Sequence, residues 1–232
     1  MNTRILWGAA VASIFILTMP AAAQTLDGPP ALPLGASPTQ PIPARDADGR
    51  YLTPNVGLSR EATVWHVRAA LNVAALGCRD EAELETIAQY NKLLATQRRP
   101  LAAAAAAVKA QYRARYGAGW SGVHDREMTR LYNYFAQPPA QKAFCQVARD
   151  VLREAQTITP ARLSQFAAAA LPRLEAPFTD FYGRYDAYRL ALTTWRERGL
   201  TLAVSDLPLP QTLSTAIVGD PISAAGASFN PN

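Results

Sequence analysis

Histidine is scarce in this chain: His66 and His124 are the only two among 232 residues. Cysteine is equally scarce, with Cys78 and Cys145 alone. No C-x-x-C-H run is present, so covalent attachment of haem is excluded. No G-x-S-x-G elbow occurs, which removes the commonest signature of a serine hydrolase. The glycine-rich stretch Gly117–Ala118–Gly119–Trp120–Ser121–Gly122 lacks the lysine and the preceding strand that a phosphate loop requires. No segment alternates apolar and polar residues between hairpin turns, which argues against a sheet. After the first twenty residues nothing is apolar for long enough to span a bilayer.

What is present begins with the leader. Met1–Arg4 is short and positive, Ile5–Met19 is almost wholly apolar, and Ala21–Ala22–Ala23 precedes Gln24. This is the layout of a secretory signal peptide over 1–23, cleaved after Ala23. The apolar run, about fifteen residues, is short of the roughly 20 a spanning helix needs, which sets cleavage above a retained anchor. No cysteine stands at the cleavage point to take a lipid. The expected location is therefore exported, periplasmic or secreted, with no transmembrane anchor after cleavage. In an oxidising compartment an even cysteine count favours a Cys78–Cys145 disulfide. It would close a loop of about 68 residues, worth roughly 4 kcal/mol by chain entropy.

Residues 24–57 carry seven of the eighteen prolines and few large apolar side chains, so a disordered, extended linker is expected there. Residues 202–232, rich in Ser, Ala, Thr, Pro and Gly, are expected to be a disordered tail. Between them 58–201 reads as a single helical domain. From Arg60 to Gly199 the chain has 20 Lys and Arg against 13 Asp and Glu, a surplus of +7. Such a surplus points to an anionic surface or an envelope partner. It is too diffuse for a nucleic-acid patch, and none is expected.

The fold class is all-α, an irregular bundle of about five to seven helices. Ser59 caps a first helix whose apolar face is Val64, Val67, Leu71, Ala74 and Cys78, with Gly77 at its end. Asp80 with Glu83 caps a second. Leu84, Ile87, Asn91, Leu94, Arg98, Leu101, Ala105, Val108 and Tyr112 keep one phase, so a helix kinked but continuous through Pro100 is preferred from Asp80 to Tyr116. Asp125 is read as the cap of a helix carrying Met128, Leu131 and Phe135. Pro138–Pro139 precedes a helix with Phe144, Val147, Ala148, Val151 and Leu152. Thr159–Pro160 starts another, which Pro172 disturbs, and Pro177 starts a last helix that Gly199 stops.

That last helix bears an aromatic seam: Phe178, Phe181, Tyr185, Tyr188, Leu192 and Trp195. The seam is expected to pack into the bundle, with docking on a membrane or partner helix as the alternative use of Phe178, Phe181, Tyr185, Tyr188 and Trp195. His66 lies off the apolar stripe and reads as a surface or boundary residue. His124, Asp125 and Glu127 match no metal spacing, so no metal and no cofactor is expected. The leading functional reading is a non-catalytic binding, scaffold or interaction module of the bacterial cell envelope. The rival is an envelope hydrolase using an acidic pair, with Glu127 or Asp150 as one member.

Overall fold

The computed structural model describes residues 28–205, with side chains described as far as Leu200. The leader expected over 1–23 and the tail from 206 lie outside the described residues. Those described build an all-α bundle without strands. Six α-helices follow in chain order: α1 (Arg60–Gly77), α2 (Glu83–Thr96), α3 (Arg98–Tyr116), α4 (Trp120–Phe135), α5 (Pro138–Ala155) and α6 (Leu163–Ser205). Short 3-10 turns, Gly117–Gly119 and Pro160–Arg162, lead into α4 and α6.

The Ser59 side chain accepts the Ala62 N–H and so caps α1, as its sequence requires. This helix is the hub of the bundle and touches all five others. Its expected stripe is buried, but so are Ala69, Ala70, Val73 and Ala75 on other faces. Small side chains on those faces let neighbouring helices approach closely. Cys78 leaves α1 as its C-cap and is bonded to Cys145 of α5, with S–S 2.01 Å and Cα–Cα 5.7 Å. Phe135, Phe144 and Phe178 from α4, α5 and α6 meet at centroid distances of 5.3–5.7 Å, each fully buried.

The continuous helix preferred through Pro100 is two helices, α2 and α3, parted at Gln97. In an unbroken helix the Pro100 ring would meet the carbonyl of residue i−4, which is Thr96, the last residue of α2. The buried Gln97 side chain locks the break by donating to the Ile158 carbonyl at 2.6 Å. The buried face of α2 is also one step from the expected stripe. Thr86, Tyr90 and Leu93 are inside, while Leu84 is 81 % exposed. Asp80 works just ahead of α2, its carboxylate accepting the Ala82 N–H. Asp125 caps nothing: α4 already starts at Trp120, which places Asp125 on its exposed face.

Pro172 and Pro177 do not divide the C-terminal part; α6 runs through both, and past Gly199, for 43 residues. Each proline frees one carbonyl four residues back, on Ala168 and Arg173, and both of those residues are exposed to water. Meanwhile Leu171, Leu174, Phe178, Phe181 and Tyr182 are buried on one side of the helix. At roughly 1.5–3 kcal/mol each, their burial outweighs two interior prolines at about 3 kcal/mol each.

The expectation of a free linker over 24–57 is corrected from Gly28 onward. Residues 28–57 have no regular structure, as their prolines dictate, yet they lie on the bundle as a strap. Leu32, Ala36, Ile42 and Tyr51 pack against the core. Gly35 has φ +76°, and a Cβ there would sit 3.3 Å from Pro139 Cα, so only glycine seats this turn comfortably on α5. Scattered apolar residues with no period suffice here because α6 supplies the hydrogen-bonding partners described next.

Candidate functional site

The aromatic seam of α6 divides into two stretches. Phe178, Phe181 and Tyr185 are no more than 2 % exposed and belong to the core, which removes them from any docking surface. Tyr188, Leu192 and Trp195 are half-buried. Leu190 and Leu200, beyond the bundle's main mass, are 71 % and 68 % exposed. The seam therefore packs fully only where strap, α4 and α5 cover it.

Tyr185 is the first tie on the strap. Its hydroxyl accepts the Gln40 N–H at 3.0 Å and faces the Ser37 and Pro38 carbonyls at 3.1 and 2.9 Å. The next residue, Asp186, takes the Arg45 guanidinium at 3.0 Å and the Tyr51 hydroxyl at 2.7 Å. Burial, reinforced by the hydrogen bond to Asp186, pushes the Tyr51 phenol above its ordinary range. Further back, Glu175 Oε1 receives the Thr53 hydroxyl, the Asn55 amide at 3.0 Å and the Tyr134 hydroxyl at 3.3 Å. Burial first, and then the Glu175 charge, drives the Tyr134 phenol well up, so it stays a neutral donor.

Two concavities border this strap. The larger is an open groove of about 830 Å³ between residues 31–35, the start of α5 and the middle of α6. Pro33, Leu34, Pro139, Ala143, Tyr188 and Ala191 make it largely apolar, and Lys142 and Arg184 add positive charge. Leu34 is 95 % exposed at its edge. The smaller is a cleft of about 290 Å³ between residues 56–59, the N-terminal half of α1, the end of α3, and α4. His66, Tyr112, Arg115 and Glu127 line it.

His66 is not the surface residue its place off the stripe implies. It is 6 % exposed, and its Nδ1 lies 2.9 Å from Asn55 Oδ1. Burial lowers its pKa to about 4, so the ring is neutral over the physiological range. Nothing local in α1 announced this, because the partner comes from the strap. His124 packs edge-on against Tyr112 and Trp120, with ring centroids 5.1 and 6.0 Å away. Its nearest carboxylate is the exposed Asp125, at 3.3 Å. Glu127 borders the cleft, whereas Asp150 lies on an exposed face of α5 paired with Arg153 at 2.8 Å. Beside Glu127 no second acid lines the cleft. Among the described residues no group of three or more His, Cys, Asp and Glu could hold a metal ion. No helix there is long and apolar enough to cross a membrane. Compared with protein-family models, curated proteins and solved structures, the chain matches none of them.

Proposed function

We propose that this protein is an exported binding module of the bacterial cell envelope, cleaved after Ala23 and docking a partner segment in the groove between strap, α5 and α6. The groove carries this reading. It is a concave, mainly apolar channel with Leu34 exposed at its edge and a few charged groups beside it, the kind of lining that receives a ligand's apolar groups. Lys142 and Arg184 favour a segment whose apolar side chains are flanked by carboxylates. The disulfide agrees with an oxidising compartment. The competing hydrolase needs a second acid beside Glu127 or Asp150; the lining of the cleft at Glu127 includes no other acid, and Asp150 is exposed on α5 against Arg153.

Two measurements test the proposal. Protein recovered from the periplasm or medium of an expressing bacterium should begin at Gln24 by N-terminal sequencing; a chain still starting at Met1 overturns export with cleavage. A photo-crosslinking residue at Ala187, inside the groove, should yield a discrete adduct that a K142E/R184E double variant abolishes. The same probe at Glu85, on an exposed part of α2, should yield none. Equal labelling from both positions removes the groove as the docking site.

A further inference from the structure

The small cleft at the head of α1 is independent of the groove and differs from it in chemistry. Its base holds a histidine whose proton is placed by a fixed relay. Glu175 accepts the Asn55 amide hydrogen, so Asn55 Oδ1 is the atom turned to His66. An amide oxygen only accepts, and His66 Nδ1 therefore carries the hydrogen. The neutral ring is left with an acceptor lone pair on Nε2, the nitrogen that the relay does not use. The rest of α1 fills the core with alanine, valine and leucine. A histidine buried among them, backed by Asn55, Glu175, Thr53 and Tyr134, is more machinery than packing alone asks for.

The other polar groups of the cleft are complementary. Arg115, on the last turn of α3, has no carboxylate within ion-pair distance among the described residues and lies 5.4 Å over the Tyr116 ring. Glu127 has Arg130 on its own helix as its ion-pair partner at 3.9 Å, a loose contact. Tyr112 lines the same cleft, its phenol pushed up by burial and then by the Glu127 charge, so it offers a neutral hydroxyl. Leu58, Val108 and Met128 supply an apolar wall. At about 290 Å³ the cleft falls just below the roughly 300–1,000 Å³ usual for drug-sized ligands, which limits its occupant to a small metabolite.

We propose that this cleft binds a small zwitterion of the amino-acid class. Arg115 receives the carboxylate, Glu127 and His66 Nε2 accept from the ammonium, and the apolar wall takes the side chain. Calorimetric titration of the purified, oxidised protein tests it with L-leucine and L-phenylalanine, alongside their amides, which lack the carboxylate, and their N-acetyl forms, which lack the ammonium. At least one free amino acid should bind with a Kd below about 1 mM, and each blocked form should bind about tenfold or more weakly, as loss of a charged hydrogen bond implies. Arg115→Ala should erase discrimination against the amide, and Glu127→Gln discrimination against the N-acetyl form. Both positions are surface-accessible, so unchanged melting temperatures will show the variants folded. The His66 Nε2 resonance should shift on binding. No heat with either amino acid up to about 10 mM, or blocked forms binding as well as free ones, overturns the site. Binding that leaves the His66 resonance still overturns the part assigned to His66, making it an anchor for Asn55 only.

Discussion

Replacing Tyr185 with Phe removes one oxygen and isolates the tie between strap and bundle. That oxygen is buried with a residue 2 % exposed, and it serves the Gln40 N–H and the Ser37 and Pro38 carbonyls at 2.9–3.1 Å. The phenylalanine ring keeps the packing against Phe181 and Tyr188. What is lost is the link across to α6: the Pro38 carbonyl is left without a partner and the Gln40 N–H keeps only its turn bond to the Ser37 carbonyl at 3.0 Å, costing about 1–3 kcal/mol. The cost falls on local opening of the strap near Gln40, since the Asp186 and Glu175 ties hold the chain further on. At about 2 kcal/mol, exchange of the Gln40 amide should speed up roughly thirtyfold. Hydrogen exchange read by NMR, compared between parent and Tyr185→Phe, measures this directly. The global melting temperature should move little. A Gln40 amide that already exchanges at the free-chain rate in the parent, and is unaffected by the substitution, would refute the strap and restore a free linker.

Phe181→Ala should cost about 3–5 kcal/mol in urea denaturation, because the side chain is 1 % exposed, whereas Leu190→Ala, 71 % exposed, should stay within about 0.5 kcal/mol. Replacing both cysteines with serine should lower stability by up to about 4 kcal/mol, the chain-entropy figure for the sequence separation of 67 that the bond spans; an unchanged urea midpoint would show the bond is not formed in the protein measured. His66 titrates near 4 when folded and at about 6.5 when unfolded, so between these values the unfolded chain binds more protons and stability rises with pH. The full effect is of the order of 3 kcal/mol, present above about pH 6.5 and lost as pH falls towards 4. Urea midpoints at several pH values should show this slope in the parent and a flatter one in His66→Gln.

Much of the bundle was legible from local pattern. Helix class, the Ser59 cap, the exit of α1 at Cys78 and the apolar stripe of α5 all depend on residues within a turn or two of each other. The disulfide was legible too, because two cysteines leave a single pairing. Local chemistry also located Pro100 as a hazard, though not its outcome. A three-four stripe stays in phase whether or not one residue between two helices leaves helical geometry, so periodicity could not see the break at Gln97. The burial of Thr86, Tyr90 and Leu93 in place of Leu84 was decided by the neighbours of α2, since hydrophobic identity alone does not say which face a helix turns inward.

The prolines show the same division most plainly. Propensity treats Pro172 and Pro177 as breaks and residues 28–57 as free chain, and both judgements count only what a segment does by itself. In the folded protein α6 survives its prolines because the carbonyls they release belong to exposed residues, Ala168 and Arg173, while five large side chains are buried alongside. The strap is ordered because Tyr185, Asp186 and Glu175, more than 100 residues away, complete its hydrogen bonds. His66 becomes a buried, oriented imidazole for that reason as well: its partner Asn55 is held by Glu175. A sequence states which side chains can donate, accept or be buried, and local spacing states which of them share a face. Which strap atom meets which helix is a matter of long-range geometry, and only the packed chain decides it.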